Sequence, residues 1–384
     1  MTILYFGVVD WYYLRQRPQQ LARELASHAD VVYAYPRTLL GTWHTRPRLP
    51  AGARKAWRDG PEGEVSTLHL YEPFGFPRYR GQFLRSIGDA LFLHGLGIEL
   101  KRRRLRPDIV WIGHPSHERF IDSFADIPLV YDCMDDWGSF PDAGDVSRRE
   151  SRLLKRARWV LASSRKLEAR LGADGAPVHL VPNGVEHAHF RSALDLFEAA
   201  PVPSKSVRRK TALTVGTFGS WVDFELIRRM ALACPDWIFQ LVGPLESHPE
   251  GGLPREDNLV WLGRRPYGEL PALMAAADAA FLPFRMDALT ESVDPVKVYE
   301  FLAAGLPVAA VPLPELAKFK AGVVTARTAA EFREALESAR ALGATPGARR
   351  DLSASVATHS WAARAELVRS LLSSAPATGS NDPA

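Results

Sequence analysis

The chain has 384 residues, 46% hydrophobic and 24% charged, with a formal charge of +4. That is the ordinary balance of a globular protein and more than one core can hold, which excludes a disordered, collagenous or fibrous chain. Its two cysteines, Cys133 and Cys234, lie far apart in sequence; they exclude a disulfide scaffold or a four-thiolate zinc site and suit a reducing cytoplasm. The opening MTILYFGVVDWYYLRQR has neither the basic start nor the small-residue cleavage site of a signal peptide. No window offers the roughly 18 uncharged apolar residues of a membrane span.

In chain order, Ile3–Val8 reads as a strand. Pro18 opens a helix in which Leu21, Ala22, Leu25 and Ala26 repeat at helical spacing. Strands follow at Val31–Tyr35 and Thr67–Tyr71, then a helix at Gln82–Arg104. Asp108–Gly113, Leu129–Tyr131, Trp159–Ala162 and Val178–Val181 are further strands. Uniformly apolar strands alternating with helices imply a parallel sheet covered on both faces. Residues 198–210 are rich in proline and charge and read as a linker. A second series begins with strand Leu213–Val215 and helix Asp223–Ala233, then strands Ile238–Val242 and Leu259–Leu262. Helix Leu270–Ala276, strand Ala279–Pro283, helix Pro295–Ala304 and strand Val308–Val311 continue it, and helices Ala329–Ala341 and Trp361–Leu372 end it. Two doubly wound halves facing a cleft would bind ligands beyond the carboxyl ends of their strands.

Charge is uneven. Residues 1–110 hold 17 Lys and Arg against 10 Asp and Glu, and the rest hold 31 against 34. The densest part is Arg78, Arg80 and Arg85, then Lys101 to Arg104 and Arg106. Such a region attracts anionic lipid, nucleic acid or a phosphorylated ligand, or is a solvated helix face. No nucleic-acid-binding module accompanies it.

Three segments carry chemistry. The first is DPVKVYEFLAAGLPV, residues 294–308. Asp294 suits an N-cap, Pro295 the first helical position and Gly305 the stop. Lys297 in the first turn opposes the helix dipole, which makes sense beside a bound anion. Glu300, one turn on, could accept hydrogen bonds from sugar hydroxyls, or the two could form a plain ion pair on a solvated helix. The second segment runs from strand Leu213–Val215 into Gly216-Thr217-Phe218-Gly219, whose glycines allow close approach to a ligand, followed by a Ser220–Asp223 capping box. The third is Asp132, Asp135 and Asp136 after an apolar strand end. One of them could be a general base or hold a hydroxyl, or the loop is polar with a helix cap. His114 also follows a strand end and reads as a substrate contact or a capped turn, and His187 and His189 read as surface residues.

The segment DPVKVYEFLAAGLPV resembles the donor-binding helix of GT-B glycosyltransferases of the bacterial polysaccharide type. Val181-Pro182-Asn183-Gly184-Val185, Leu241-Val242-Gly243-Pro244, Trp261-Leu262-Gly263 and Phe281-Leu282-Pro283-Phe284 are similar to further family segments, in the family's order. Asp10-Trp11, the run from Arg17 to Ala22 and YDCMDDW resemble a subgroup acting on exopolysaccharide or teichuronic-acid precursors. The likeness spans about residues 1–372.

The resemblance implies a GT-B fold with an N-terminal acceptor-binding domain (1–197), a linker (198–210) and a C-terminal donor-binding domain (211–355). A helix (356–372) crosses back to the first domain, and a disordered tail (373–384) follows. It implies a hexosyltransferase moving sugar from a nucleoside-diphosphate sugar to a glycan, lipid-linked or small-molecule acceptor. No nucleic-acid partner and no metal cofactor are implied. Lys297 would meet the diphosphate and Glu300 the ribose, with Gly216, Phe218, Gly219, Val296 and Tyr267 around the donor. Asp135 is the leading base, with Asp132 and Asp136 beside it, and Asp10, Trp11 and His114 would face the acceptor. Many retaining relatives carry a second glutamate eight positions before Glu300; Ser292 stands there, with Glu291 next to it. The expected setting is cytoplasmic, with peripheral attachment to an anionic membrane. A nucleotide-sugar epimerase or hydrolase and a non-catalytic nucleotide-sugar binder are the alternatives.

Overall fold

The computed structural model describes residues 1–35, 56–61, 63–73, 82–140, 144–199, 209–247 and 252–374. Most of the linker 198–210 and of the tail 373–384 lies outside them, as do Phe74, Phe76, Arg78 and Arg80; of residues 82–85 only the helical backbone is described.

The N-terminal sheet has eight strands: β1 (Thr2–Phe6), β2 (Asp30–Ala34), β3 (Trp57–Asp59), β4 (Leu68–Tyr71), β5 (Ile109–Ile112), β6 (Leu129–Cys133), β7 (Trp159–Ala162) and β8 (Val178–Leu180). Their order is β3-β4-β2-β1-β5-β6-β7-β8, parallel except for the edge strand β3. Strand β1 is buried throughout: Ile3 and Tyr5 pack on one face of the sheet, Leu4 and Phe6 on the other. Helices therefore cover both faces, and the order in which strands are added reverses between β1 and β5. That switch point opens a crevice at the carboxyl ends of these strands, just before Asp10 and His114.

The C-terminal sheet has six parallel strands: β9 (Lys210–Val215), β10 (Trp237–Val242), β11 (Leu259–Gly263), β12 (Ala279–Leu282), β13 (Val308–Ala310) and β14 (Val323–Thr325), in the order β11-β10-β9-β12-β13-β14. Its switch point lies between β9 and β12, so the turn after β9 opens onto the cleft.

The strands β3 and β14 and the helices Val146–Arg156, Arg165–Leu171, His187–Ala199 and Pro346–Ser355 were not read from the sequence. The boundary between the domains also differs from that reading. Helix His187–Ala199 buries Phe190, Ala193 and Leu194 in the C-terminal core and packs on helix Leu270–Ala276. By packing it belongs to the second domain, because its apolar stripe has its partners there, and the chain crosses over near Asn183. Here the outgoing and returning segments touch: Val185 N donates to His359 O at 3.0 Å and Trp361 N to Val185 O at 3.3 Å. A Cβ on Gly184 would sit 3.0 Å from backbone atoms of Ser360 and Trp361, so the crossing is spaced for glycine. Helix Trp361–Ser373 then packs Trp361, Ala365 and Val368 against helix Arg17–Ala26 of the first domain.

Candidate active site

Two adjoining cavities lie between the domains. The larger, about 400 Å³, is walled by Trp11, Tyr13 and Arg15 from one side and Gly216, Arg264 and Tyr267 from the other. The smaller, about 220 Å³, is walled by Trp221, Glu246 and Phe284. Gly216, Thr217, Gln16 and Lys297 line both.

The floor is backbone. Gly216 N donates to Val242 O at 2.9 Å, and Gly243 follows at the end of β10 with φ +147°. A Cβ on Gly243 would lie 1.6 Å from Gly216 O, so the two strand ends meet at a distance only glycine permits. Phe218 lines the smaller cavity, although its ring is buried in the core; Gly219 packs against the Trp221 ring and lines neither cavity.

Lys297 sits in the first turn of helix Val296–Ala303, whose N-cap residue, Pro295, supplies no side-chain cap. Its Nζ donates to Glu300 Oε2 at 2.7 Å. The ion pair is real, but its setting is not a solvated helix face: Glu300 is only 3% exposed. Burial raises the Glu300 carboxyl above its usual range, and Lys297 pulls it back. Val296, before Lys297, packs against the N-terminal core and lines neither cavity.

Asp294 is not an N-cap. Its buried carboxylate accepts from Asn183 N at 2.7 Å, Lys318 Nζ at 2.8 Å and Tyr299 Oη at 3.0 Å. These stronger and distant donors take it from the helix start. Asn183 Oδ1 in turn accepts from Arg17 at 3.3 Å, and Arg17 clasps Asp132 through Nε and Nη2, the shortest contact 2.7 Å. A buried polar chain thus runs from β6 through the crossover to the start of the Lys297 helix.

This network corrects the reading of Asp132. Arg17 and Asp132 are 3% and 0% exposed, so the carboxylate is a buried partner of a guanidinium and cannot meet an acceptor. Asp136 is also engaged: it accepts from Ser139 Oγ at 2.8 Å and faces Arg170 Nε at 3.7 Å. Asp135 differs. Among the described residues no hydrogen bond or ion pair reaches its half-buried carboxylate. Burial pushes its pKa up to about 7, while Arg17 lowers it and Asp136 raises it. It lines neither cavity, but its loop touches helix Ala288–Glu291 of the C-terminal domain.

On the other wall, Asp10 Oδ1 accepts from Tyr12 N at 2.9 Å and shapes the turn that carries Trp11 and Tyr13 into the cleft. Trp11 is buried against Tyr33. His114 takes the capped-turn alternative: its Nδ1 accepts from Ser116 N at 2.9 Å, and its ring packs edge-on to Trp137 at 4.2 Å beside the acidic loop.

Tyr267 is sandwiched. His189 stacks on it with ring centroids 4.5 Å apart, and Arg15 Cζ lies 4.5 Å from its ring centroid. Arg15 bonds both oxygens of Glu186, at 3.1 and 3.2 Å, and Gln20 bonds Glu186 at 2.7 Å. Burial works to raise the Glu186 carboxyl, but hydrogen bonds from Gln20, Tyr267 and Arg15 hold it below the usual range. His189 is therefore part of a cleft stack and not a surface residue. His187 is also half-buried, with Nε2 2.9 Å from Ser353 O.

Residues 209–340, which supply this floor, the Lys297 helix and Tyr267, match the family described as Glycosyl transferases group 1. The chain carries a group 1 glycosyltransferase domain. Over 337 residues it is 29% identical to TuaH of Bacillus subtilis (strain 168), assigned as a teichuronic acid biosynthesis glycosyltransferase, covering 80% of this chain and 79% of that one. Among solved structures it superposes on sucrose-phosphate synthase from Thermosynechococcus elongatus with TM-score 0.68 at 15% identity, covering 97% and 98% of the two chains. It superposes on Anabaena HepE in complex with UDP and glucose with TM-score 0.65 at 14% identity, covering 97% and 99%. The fold is GT-B, and the protein is a glycosyltransferase.

Several cleft residues of this glycosyltransferase escaped the sequence reading. Tyr13, Arg15, Glu246 and Arg264 line the cavities without any motif to mark them, and Thr217 does so from inside the Gly216–Gly219 turn. Arg264 donates to Tyr12 O and Tyr13 O at 3.3 and 3.2 Å, and Tyr13 Oη to Glu246 at 3.3 Å, so the turn after Asp10 is tied across the cleft. Asp223 caps its own helix by accepting from Leu226 N at 2.8 Å, so Ser220 is not the N-cap of a box. Glu291 pairs with Lys166 at 2.7 Å on the surface and lines neither cavity. Ser292 is buried, its carbonyl accepting from Ser164 at 2.6 Å. Among the described residues no group of three His, Cys, Asp or Glu side chains is placed to hold a metal ion. No helix among them is long and apolar enough to cross a membrane.

Proposed function

We propose that this glycosyltransferase moves a hexosyl group from a nucleoside-diphosphate sugar to a glycan, lipid-linked or small-molecule acceptor in bacterial polysaccharide biosynthesis. The observation that carries the donor reading is Lys297. It lines both cavities at an uncapped helix start, on a carboxylate that is otherwise buried. An ammonium and free amides there would neutralise a leaving diphosphate, a stabilisation that grows as the sugar–phosphate bond breaks. Glu300, one turn deeper, would take the ribose hydroxyls, and the backbone of Gly216 and Thr217 would admit the phosphates closely. The N-terminal wall at Trp11 and Tyr13, carried on the turn that Asp10 shapes, would receive the acceptor. The acceptor hydroxyl attacks the anomeric carbon, the carbon–oxygen bond to the diphosphate breaks, and the hydroxyl proton passes to Asp135. This course inverts the anomeric centre.

Support for the donor class comes from the likeness to HepE in complex with UDP and glucose, and for the pathway from the likeness to the teichuronic acid glycosyltransferase TuaH. No resident metal is assigned a step. The same reading sets the enzyme in the cytoplasm with its basic N-terminal third near an anionic membrane. Calorimetric titration with UDP, GDP and dTDP and their sugars tests the donor site. Tight binding of one nucleoside diphosphate, lost in Lys297→Ala, is the expected result; no binding of any would overturn it. Incubating the donor alone and analysing products separates a transferase from an epimerase or hydrolase.

A further inference from the structure

Helix Gln82–Arg103 packs Phe92, Leu96 and Leu100 into the N-terminal core. On its other face Ile87, Leu91 and Ile98 are 39%, 51% and 52% exposed. At about 100° per residue these three fall within an arc of roughly 40°, and Ala90, His94, Lys101 and Arg102 flank them within about 60° of Ile87. Ala90, His94, Lys101 and Arg102 are exposed as well. The helix has two acids in its described part, and both turn toward the protein. Asp89 pairs with Arg119 at 2.6 Å, and Glu99 pairs with Arg103. The outward arc is therefore apolar for about 16 Å along the axis, free of carboxylates, and ends in cations. Exposed Arg104 and Arg106 extend the cationic end beyond the helix. Among the described residues no carboxylate pairs with Lys101 or Arg102.

We propose that this face is a docking surface for an anionic lipid bilayer. Ile87, Leu91 and Ile98 enter the headgroup region, and Lys101, Arg102, Arg104 and Arg106 meet lipid phosphates. Apolar side chains alone could meet any apolar partner. The segregation of both acids to the protein side and the cations at the end of the arc select a negatively charged, laterally extended surface. The inference gives the peripheral-membrane part of the functional reading its residues, and it does not depend on the donor chemistry.

The test is sedimentation of the full chain with vesicles of phosphatidylcholine alone or mixed equally with phosphatidylglycerol. Binding to the mixed vesicles is expected to be at least tenfold stronger and to be released by high salt. Lys101→Gln with Arg102→Gln, and separately Leu91→Gln with Ile98→Gln, should each weaken it by on the order of tenfold or more. UDP titration and the melting temperature of each variant should match the parent, which separates lost docking from lost folding and from failure of the donor reading. A bimane fluorophore on Leu91→Cys should shift to the blue on mixed vesicles. Equal binding to both vesicle types, or none, overturns the proposal. So does loss in the charge variant without loss in the apolar one, or a concentration-dependent dimer that the apolar variant abolishes.

Discussion

Lys297 Nζ lies 2.7 Å from Glu300 Oε2, so the residue that lines both cavities is backed directly by a buried carboxylate. The cation therefore has two tasks: it compensates a buried carboxylate and presents charge to the cleft. Lys297→Met is expected to weaken nucleoside-diphosphate binding by about 100-fold. It should also cost about 3 kcal/mol of stability at neutral pH, because Glu300 is left charged and uncompensated. The cost should shrink as pH falls and Glu300 takes up a proton. Denaturant unfolding at pH 7 and pH 5 checks the second effect, calorimetry the first.

Glu300→Gln separates the ribose role from the support of Lys297. Affinity for a nucleoside diphosphate is expected to fall at least tenfold, and affinity for inorganic pyrophosphate by less than threefold. Equal losses would mean that Glu300 acts only through Lys297.

Asp135 must be ionised to accept a proton, and its pKa of about 7 sets the window. Transferase kcat/KM should rise with pH through about 7 with unit slope and then level. Asp135→Asn should lower kcat by about 10²–10⁴ and abolish that limb. Because the folded-state pKa is raised, the native state holds its proton where the unfolded chain has lost it. Stability from this group therefore falls as pH rises from about 4 to about 7. The asparagine variant should be more stable above pH 7, by about 1–2 kcal/mol after screening of a half-buried site.

Asp132→Ala removes the partner of a guanidinium that is 3% exposed. A loss of about 3–5 kcal/mol and a Tm lower by roughly 10 °C are expected. The pH limb assigned to Asp135 should persist in whatever protein folds.

Gly243→Ala would push a methyl into Gly216 O, 1.6 Å away on the unrelaxed backbone, at a φ of +147°. Strand ends β9 and β10 must then part. Stability should fall by about 3 kcal/mol or more, and nucleotide binding should be lost with it, since Gly216 lines both cavities. Unfolding curves together with UDP titration would show both.

What could be read from the sequence was whatever depends on near neighbours in the chain. The strands of continuous apolar residues, the helix that Gly305 stops and the glycines after β9 all announce themselves locally. Asp294 could not be read this way. As a residue before a helix it is an N-cap, and only the arrival of Asn183, from 111 positions away, makes it a hub. Asp132, Asp135 and Asp136 look alike in sequence. Arg17, 115 positions from Asp132, and Arg170 tell them apart by taking two of the three. His189 seemed superficial, and the helix that carries it went unread, because the partner Tyr267 lies beyond the linker.

The return of helix Trp361–Ser373 onto helix Arg17–Ala26 has a consequence for synthesis. Leu21 and Leu25 pack in one core with Trp361, Ala365 and Val368, which follow about 340 residues later in the chain. The first domain thus emerges with an open flank and cannot finish its core until residues 361–368 have followed it. Contacts of such long sequence separation form slowly. Throughout that interval the exposed stripe is a target for chaperones and for aggregation. A chain broken off near residue 355 would hold the C-terminal strands and the Lys297 helix yet carry a permanently unfinished first domain.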